Sequence, residues 1–429
     1  MNLLSDQISL TPLPCRSIGV RVICSVVLSF FLGVLAQAGE PPSISNDDWP
    51  GWLGPQADGI SRETGWSYQW PKDGPRVLWK KEIGKGYSSF ATVDKRVLTT
   101  GHRDGQETVY CLDAVTGEPI WEHTYRCELV NNLNEGGPCA TPTIEGEFVY
   151  TNSRGGHLFC LKLATGDVVW KKALREETGV SLPEWGFSSS PVIRGDRLFV
   201  ESGRLVAFDK RTGEKLWQTK EFRVGYGSPA LFTKDGRDLV ATLNNDNVLV
   251  AQIEDGQIVA QHDWKTSFAT NSSTPIILED QTLFISTGYK RGCTRLKLTA
   301  DTLEPIYESK SMNNHFNQSI LWNGFLYGID GNSHNPRLCQ LNCIDAKTGK
   351  LSWSQKGFGC GSVLIADCKL VILSDEGMLT IAEVNPEKYK ELASARILDW
   401  QCWTVPVLSH GRLFARTSQG SAVCLDLAP

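Results

Sequence analysis

The sequence predicts an all-β fold, an eight-bladed β-propeller of four-stranded antiparallel blades that is closed by an N-terminal strand. Three observations predict it. A strand–turn–strand motif recurs, each copy follows a small or polar opening and an apolar strand, and the last copy is incomplete while a strand of matching pattern stands alone near the N-terminus. Self-similarity at a period of this size is typical of propellers and solenoids.

The recurring motif is a strand, a Thr-Gly turn and a second strand, clearest at residues 110–122, 159–171, 206–218 and 342–354. The turn needs a positive φ, which glycine adopts freely. A tryptophan follows four residues after each of these glycines. The fixed spacing places a large ring on the same face of each outer strand, where it fills the gap between neighbouring blades. We therefore predict blade-structural roles for Gly117, Gly166, Gly213, Gly349, Trp79, Trp121, Trp170, Trp217 and Trp353.

The small or polar openings give the number of blades. They recur at a spacing of about 40–50 residues, as propeller repeats do. The eight openings begin at Ser89, Ala140, Ser190, Ser228, Ser273, Gln318, Gly361 and Thr404. The last copy, at 423–429, lacks its turn and outer strand, and residues 77–84 have the missing pattern. Pairing the two would close the ring and cover sheet edges that are otherwise exposed.

The N-terminus has the pattern of a secretory signal peptide. Arg16 and Arg21 precede the apolar run 22–35, and the small-x-small pattern of 36–38 predicts cleavage after Ala38. The run is shorter than the ~20 residues of a membrane-spanning helix, and no cysteine follows the cleavage site to carry a lipid. We therefore expect export to the periplasm or outside the cell, with no transmembrane helix after cleavage. The predicted regions are a signal peptide at 1–38, a leader at 39–76 and the propeller at 77–429.

The composition is that of a soluble globular protein, with 41% hydrophobic and 21% charged residues among 429. The net charge of −5 provides no general basic field, so nucleic acid is not an expected partner. We expect a monomer.

Two of the 13 cysteines, Cys15 and Cys24, lie in the predicted signal peptide, which leaves 11. An oxidising compartment permits disulfides, for instance among Cys111, Cys127, Cys139 and Cys160. The favoured interpretation is burial as small apolar side chains, because equivalent strand positions are occupied by Cys111, Cys160, Cys343 and Cys424. No paired CxxC at zinc spacing occurs, so a structural zinc site is not expected.

The repeated pattern Leu-Asp-x-x-Thr-Gly-x-x-x-Trp resembles the quinoprotein (PQQ) repeat, and the resemblance extends from Val77 to the C-terminus. The family includes PQQ-dependent alcohol and sugar dehydrogenases, and also BamB-like propellers, which are non-enzymatic scaffolds in outer-membrane protein assembly. The segment 49–66 is similar to the openings of secreted PQQ-like proteins of planctomycetes.

The resemblance implies two alternative functions. A quinoprotein dehydrogenase needs a flat slot for the quinone, Ca²⁺ held by carboxylate and amide oxygens, and a carboxylate base. Members that oxidise alcohols also stack the quinone on a disulfide between adjacent cysteines, but this chain has no Cys-Cys dipeptide and no CxxCH haem motif. The nearest polar candidates, Asn271, Asn313 and Asn314, have no evident carboxylate beside them. We predict no catalytic residue, no metal and no cofactor. PQQ and Ca²⁺ are expected only if the alternative function holds, that of a quinoprotein dehydrogenase with a divergent cofactor site.

Other chemistry is not predicted either. The GxSxG, HExxH and GxxxxGK[ST] motifs are absent. His102 and His157 occupy equivalent turns, which favours repeat geometry over a metal pair. Four aspartates stand just before the Thr-Gly turn position of the repeated motif. An aspartate there accepts backbone N–H bonds and caps the turn, and we assign that role to Asp113, Asp209, Asp345 and Asp426.

The segments that lead into the first strand of each blade, here called the lead-in segments, converge on one mouth of the central channel. They carry aromatic residues beside Ser, Thr and Asn, a combination that suits a sugar or a peptide. The candidate ligand-binding residues are Tyr87, Trp185, Phe187, Tyr226, Phe268, Phe316, Phe358 and Trp403. The alternative is that these rings only fill contacts between blades. The favoured function is thus an exported, non-catalytic binding or scaffold module for a protein or carbohydrate partner.

Two insertions, at 288–293 and 331–340, lengthen turns of blades five and six. We expect them at the end opposite the lead-in segments. Lys290, Arg291 and Arg337 would form a basic patch there, although ordinary solvated loops are the favoured interpretation.

Overall fold

A computed structural model describes residues 44–130, 132 and 134–429. The predicted signal peptide at 1–38 lies outside the described residues. Within them the chain forms eight sheets, which are the blades of a β-propeller. The helical elements of this part of the chain are α1 (Leu174–Thr178) and a short 3-10 helix (Pro336–Leu338). No helix in the described ranges is both long and apolar enough to cross a membrane.

Two strands precede the first blade, β1 (Ile60–Ser61) and β2 (Arg76–Glu82). Blades 1 to 4 are antiparallel meanders of consecutive strands. Blade 1 consists of β3 (Ala91–Val93), β4 (Arg96–Arg103), β5 (Gln106–Asp113) and β6 (Pro119–Arg126). Blade 2 consists of β7 (Thr143–Glu145), β8 (Phe148–Asn152), β9 (His157–Lys162) and β10 (Val168–Ala173). Blade 3 consists of β11 (Val192–Arg194), β12 (Arg197–Glu201), β13 (Leu205–Asp209) and β14 (Lys215–Gln218). Blade 4 consists of β15 (Ala230–Lys234), β16 (Arg237–Leu243), β17 (Asn247–Gln252) and β18 (Ile258–Asp263).

Blades 5 to 7 repeat this meander, and blade 8 takes one strand from the N-terminal region. Blade 5 consists of β19 (Ile276–Ile277), β20 (Leu283–Thr287), β21 (Gly292–Leu298) and β22 (Leu303–Ser309). Blade 6 consists of β23 (Ile320–Trp322), β24 (Phe325–Asp330), β25 (Gln340–Asp345) and β26 (Leu351–Lys356). Blade 7 consists of β27 (Ser362–Ala366), β28 (Lys369–Leu373), β29 (Met378–Glu383) and β30 (Glu391–Arg396), with β1 added in parallel to β27. Blade 8 consists of β31 (Val407–Ser409), β32 (Arg412–Arg416), β33 (Ser421–Asp426) and β2.

The ring closes as the sequence predicts. Strand β2 pairs antiparallel with β33, from Arg76 opposite Asp426 to Glu82 opposite Ser421. The N-terminal strand therefore becomes the outer strand of the last blade. The first and last parts of the propeller share one sheet, which leaves blade 8 with the four strands of the other blades.

The outer strands share a one-residue bulge immediately before the aromatic position. In blade 8 the register shifts between Val77 and Trp79, and in blade 2 between Val168 and Trp170. The bulge turns the tryptophan toward the next blade, and its partner on the neighbouring strand is a small residue, Cys424 for Trp79. Cysteine or alanine at the partner position leaves room for the large ring.

Each of these rings lies on the turn of the following blade. The indole of Trp121 donates from Nε1 to the carbonyl of Leu163 at 2.8 Å, and a Cβ on Gly166 would lie 2.6 Å from its ring. The same indole-to-carbonyl bond is made by Trp79, Trp170, Trp217 and Trp353. Four of the five rings cover a turn glycine; these are Gly117, Gly166, Gly213 and Gly256. In blade 5 Tyr307 takes the aromatic place and covers Gly349.

The aspartates before the turns are turn caps, which confirms their structural interpretation. Asp113 Oδ1 accepts the backbone N–H of Val115 and Thr116 and the Thr116 hydroxyl, and those backbone bonds lower the pKa of Asp113. Asp209 and Asp345 accept bonds in the same way. Asp426, whose copy of the motif lacks the turn, accepts the N–H of Ala428.

All 11 cysteines in the described residues are free thiols. Cys111, Cys160, Cys343 and Cys424 are buried in strands, which confirms the favoured interpretation. The disulfides suggested among Cys111, Cys127, Cys139 and Cys160 are not formed. Cys111 belongs to the hydrophobic cluster between blades 1 and 2, and Cys160 belongs to the cluster between blades 2 and 3, so the two thiols have different neighbours.

Candidate functional site

The leader spans the central channel, a feature that its sequence did not predict. Trp49 exchanges backbone hydrogen bonds with Thr92 of blade 1, and the indole of Trp52 donates to the Thr274 hydroxyl at the start of blade 5, at 3.0 Å. Blades 1 and 5 stand opposite each other in an eight-membered ring, so a segment bonded to both crosses the channel. The carbonyl of Pro50 accepts the N–H of Ile144, which adds a contact to blade 2.

The same leader continues to blades 7 and 8. Strand β1 extends the sheet of blade 7. Asp48 accepts the N–H of Asp94 at 2.8 Å and lies 2.8 Å from His410 Nε2. The Glu63 carboxyl accepts the N–H of Gly411, and its burial raises the pKa of Glu63. These contacts tie the leader to both sides of the ring and hold Trp52 in the channel.

A cavity of about 570 Å³ lies at the mouth formed by the lead-in segments, and we call it the mouth cavity. Lead-in residues of seven blades line it; blade 7 contributes none. Trp52 of the leader also belongs to its wall. The leader therefore forms the inner end of a cavity that opens outward at the mouth.

Six of the eight candidate residues lie in this wall: Tyr87, Trp185, Tyr226, Phe268, Phe316 and Trp403. Phe187 and Phe358 do not line the cavity. Gly186, with φ at +68°, reverses the chain after Trp185, so that the Phe187 ring packs against Gly156 inside blade 2. Phe358 is buried in the core near blade 7, with its ring 6.0 Å from that of Tyr389. Both side chains occupy the interior because their lead-in segments turn at a neighbouring glycine.

Six rings form a continuous aromatic arc around one side of the mouth. Adjacent ring centroids are 4.5–5.9 Å apart. The arc runs in the order Phe268, Tyr289, His315, Phe316, Trp403 and Tyr87. Tyr87 and Trp403 are stacked, with an angle of 23° between their planes. The arc presents ring faces and edges that suit a flat apolar surface or a sugar ring.

The two insertions contribute to this mouth, which corrects the expectation that they lie at the opposite end. Tyr289 from the first and His334 from the second line the mouth cavity. The physical reason is strand direction: the second strand of a blade returns to the end where the first strand began, so the turn between strands two and three lies beside the lead-in segments. Following the direction of successive strands along the sequence would have placed Tyr289 and His334 at the mouth.

The basic patch, the less favoured of the two interpretations of the insertions, does not form as a unit. The Arg291 guanidinium stacks on Trp264 at 3.4 Å from the ring centroid and pairs with Glu308 at 3.2 Å. Arg337 lines a second cavity, of about 1050 Å³, which shares Ser333, Gln401 and Trp403 with the mouth cavity. The carboxylates of this second cavity are Glu135, Asp375, Glu376 and Asp399.

Arg154 is a buried cation in the wall of the mouth cavity. It is 2% exposed, and within the described residues no carboxylate lies at ion-pairing distance from its guanidinium. Its Nη1 contacts the Cys139 thiol, and its Nε has no hydrogen-bond partner among the described residues. The buried Glu107 carboxyl accepts the backbone N–H of Arg154 rather than a guanidinium N–H. The Arg154 side chain thus has a buried donor, Nε, without a partner in the wall of the mouth cavity.

The other polar groups of the wall are neutral or already bonded. Burial and the neighbouring His334 lower the pKa of His315 to about 4, so His315 is uncharged at neutral pH. Burial raises the pKa of Tyr226 to about 12. Glu184, the one carboxylate among the described lining residues, accepts the amide of Asn132 at 3.0 Å. In the described ranges, no three His, Cys, Asp or Glu side chains are placed to hold a metal ion.

The repeated motif, the closed ring and the channel mouth together define a class, the PQQ-like repeat propellers. A family model described as outer membrane protein assembly factor BamB matches residues 132–355. This is more than half of the chain, and the chain belongs to that family. The resemblance inferred from the repeat is confirmed.

Solved structures share the fold at low sequence identity. BamB from Moraxella catarrhalis superposes with a TM-score of 0.60 at 13% identity, over 82% of this chain and 99% of that chain. Quinohemoprotein alcohol dehydrogenase from Comamonas testosteroni gives a TM-score of 0.65 at 12% identity, over 89% and 81%. The quinohemoprotein alcohol dehydrogenase ADHIIG from Pseudomonas putida HK5 gives a TM-score of 0.64 at 11% identity, over 90% of this chain and 81% of that chain. No curated protein sequence matches the chain. These likenesses concern the fold alone, since BamB and alcohol dehydrogenases share it.

Proposed function

We propose that this protein is an exported, non-catalytic propeller that acts as a binding or scaffold module, with the partner's contact group seated in the mouth cavity. The observation that carries the proposal is the aromatic arc around a cavity of about 570 Å³ whose inner end is formed by the leader. Ligand sites are concave, mostly apolar and of roughly 300–1,000 Å³, with a few polar groups that set orientation. The hydroxyls of Ser188, Ser228 and Thr270 supply such groups.

The Arg154 guanidinium indicates the chemistry of the contact group. A buried cation is costly unless it is paired and hydrogen-bonded. A carboxylate on the partner would accept the unpartnered Arg154 donor, and a ring beside it would stack on the arc. We therefore propose an acidic contact group, such as a uronic acid of a glycan or an acidic side chain of a protein segment.

The residues of the mouth cavity do not fit a quinone with Ca²⁺, which supports a non-catalytic function. The amide of Asn271 donates to the carbonyls of Asn244 and Trp264, and that of Asn314 donates to the carbonyl of Ile329. The amide of Asn313 donates a hydrogen bond to the carboxylate of Asp330. None of the three amides lines the mouth cavity. They serve the backbone of blades 4 to 6, and Glu184 is the one carboxylate that the described part of the cavity wall could offer to a metal ion.

Export is the remaining part of the proposal. It is supported by the signal-peptide pattern at 1–38 and by membership of a family described by an outer-membrane assembly factor. Fusion of residues 1–50 to a reporter that is active only after export would test it directly. Reporter activity confined to the cytoplasm would contradict it.

Binding is tested by titration of the purified protein, followed by tryptophan fluorescence. Trp52, Trp185 and Trp403 line the cavity, so a ligand there changes their emission. The probes are glucuronic acid oligomers, their neutral glucose counterparts, acidic and neutral peptides of equal length, and PQQ with Ca²⁺. We expect an acidic probe to bind, and W403A and R154Q each to weaken it by about tenfold or more, the effect of losing about 1.4 kcal/mol of contact.

The control is W400A, which removes an exposed ring that lines the second cavity and not the mouth cavity. It should leave the affinity unchanged. Stoichiometric binding of PQQ with Ca²⁺, together with dye-linked oxidation of an alcohol or sugar, would overturn the proposal in favour of a quinoprotein dehydrogenase.

A further inference from the structure

Two buried cysteines from different blades face each other beside the mouth. Cys339 ends the second insertion, in blade 6, and Cys360 lies in the lead-in segment of blade 7. Their sulfur atoms are 3.0 Å apart, and each residue is 1% exposed. Among the described cysteines, no other pair of thiols is in hydrogen-bonding contact.

The two positions are held independently of each other. The backbone N–H of Cys360 donates to Asp375 at 2.9 Å, and its carbonyl accepts the amide of Asn317 at 3.0 Å. On the other side, the N–H of Cys339 donates to the carbonyl of Pro336 at 3.0 Å. A Cβ on Gly331 would lie 2.7 Å from the Cys339 sulfur, so glycine there makes room for the thiol. Two separate sets of contacts therefore bring the sulfur atoms within about 1 Å of covalent bonding distance.

We propose that Cys339 and Cys360 form a disulfide that joins blade 6 to blade 7. The oxidant is a disulfide donor, either a thiol–disulfide oxidoreductase or oxidised glutathione. The thiolate of one cysteine attacks the donor disulfide and releases one donor thiol; the thiolate of the other cysteine then attacks the sulfur of the first and releases the second donor thiol. The two protons lost by the cysteines are taken up by the two released donor thiols. Because both thiols are buried in the folded chain, the exchange takes place while blades 6 and 7 assemble.

The cross-link acts on the walls of both cavities. The insertion at 331–340 carries His334 to the mouth cavity and Arg337 to the second cavity, and it contains no strand before β25. Its backbone is held by short-range turns such as the bond from the Leu338 N–H to the Asn335 carbonyl. A covalent bond at Cys339 anchors the end of this insertion to the neighbouring blade and restricts where its lining residues lie.

The test is peptide mapping of the full chain. The protein is either exported to a bacterial periplasm during expression or refolded in a glutathione redox buffer. Free thiols are alkylated in denaturant before tryptic digestion. Cleavage after Arg337, Lys347, Lys356 and Lys369 places Cys339 with Cys343 in one peptide and Cys360 with Cys368 in another. We expect these two peptides to be joined and to separate on reduction. Recovery of both as fully alkylated, separate peptides would overturn the proposal.

Four variants assign the bond within the joined peptides. In C343S and C368S the two tryptic peptides should still be joined by a disulfide, whereas in C339S and C360S they should be separate. Cys343 is the matched control because it is buried in the same hydrophobic cluster. Reduction should lower the Tm of the wild type and of C343S by about 3–6 °C and leave that of C339S unchanged. A joined peptide that persists in C339S means a different pairing and refutes the assignment.

Discussion

Glu201 lies at the end of β12 and provides a test of how burial controls the stability of the mouth. It is 1% exposed. Its Oε1 accepts the backbone N–H of Gly203 at 3.1 Å and of Gly225 at 3.0 Å, and its Oε2 has no hydrogen-bond partner within the described ranges. Burial raises the pKa of Glu201 from 4.5 to about 8. Gly225 begins the lead-in segment that carries Tyr226, so this carboxyl holds part of the cavity wall.

The raised pKa sets the direction of the pH dependence. The folded state holds a proton on Glu201 up to about pH 8, whereas the unfolded chain releases it near the usual value of 4.5. The stability contribution is therefore fully present below pH 4.5 and is lost as the pH rises through about 8. Each pH unit in this window lowers the free energy of unfolding by at most about 1.4 kcal/mol, and the whole window lowers it by at most about 5 kcal/mol.

The substitution Glu201→Gln removes this titration while keeping the size of the side chain and an oxygen for the two glycine N–H groups. We expect the free energy of unfolding of E201Q to exceed that of the wild type increasingly as the pH rises from 5.5 to 8.5. Urea unfolding at several pH values measures the difference. The control is E254Q, which removes a charge from an exposed position. Parallel profiles for E201Q and the wild type would refute the reasoning, because they would mean that Glu201 is ionised in the folded protein or that water reaches it.

Two further predictions concern the blade contacts and the leader. Gly166→Ala should lower the free energy of unfolding by about 2–4 kcal/mol, because φ is +75° and the new Cβ would meet the Trp121 ring; Gly146→Ala, with φ at +57° and open space around it, should cost only about 1 kcal/mol in the same urea experiment. Trp52→Ala should weaken binding of an acidic probe in the mouth cavity by about tenfold, because it removes the ring that donates to Thr274 at the inner end. An unchanged affinity in fluorescence titration would mean that the leader does not reach the ligand.

The blade number, the closure of the ring and the turn caps could be predicted from the sequence because they depend on local rules. A Thr-Gly turn four residues before a tryptophan defines the same hairpin wherever it occurs, and Asp113 bonds residues that lie only two and three positions away. The closing strand was recognisable because β2 repeats the pattern of the other outer strands. Six candidate aromatic residues could be placed at the mouth because strand order assigns every lead-in segment to the same end.

The remaining features were decided by contacts between residues far apart in the chain. Trp52 and Thr274 are 222 positions apart, and no local pattern indicates that the leader crosses the channel to reach blade 5. Whether a ring faces the cavity or the core depends on a single glycine turn, as at Phe187. That no described carboxylate pairs with Arg154, and that Cys339 meets Cys360, is decided only when neighbouring blades pack together. The periodic pattern of the sequence determines the ring, and the packing of its irregular segments decides what the mouth can bind.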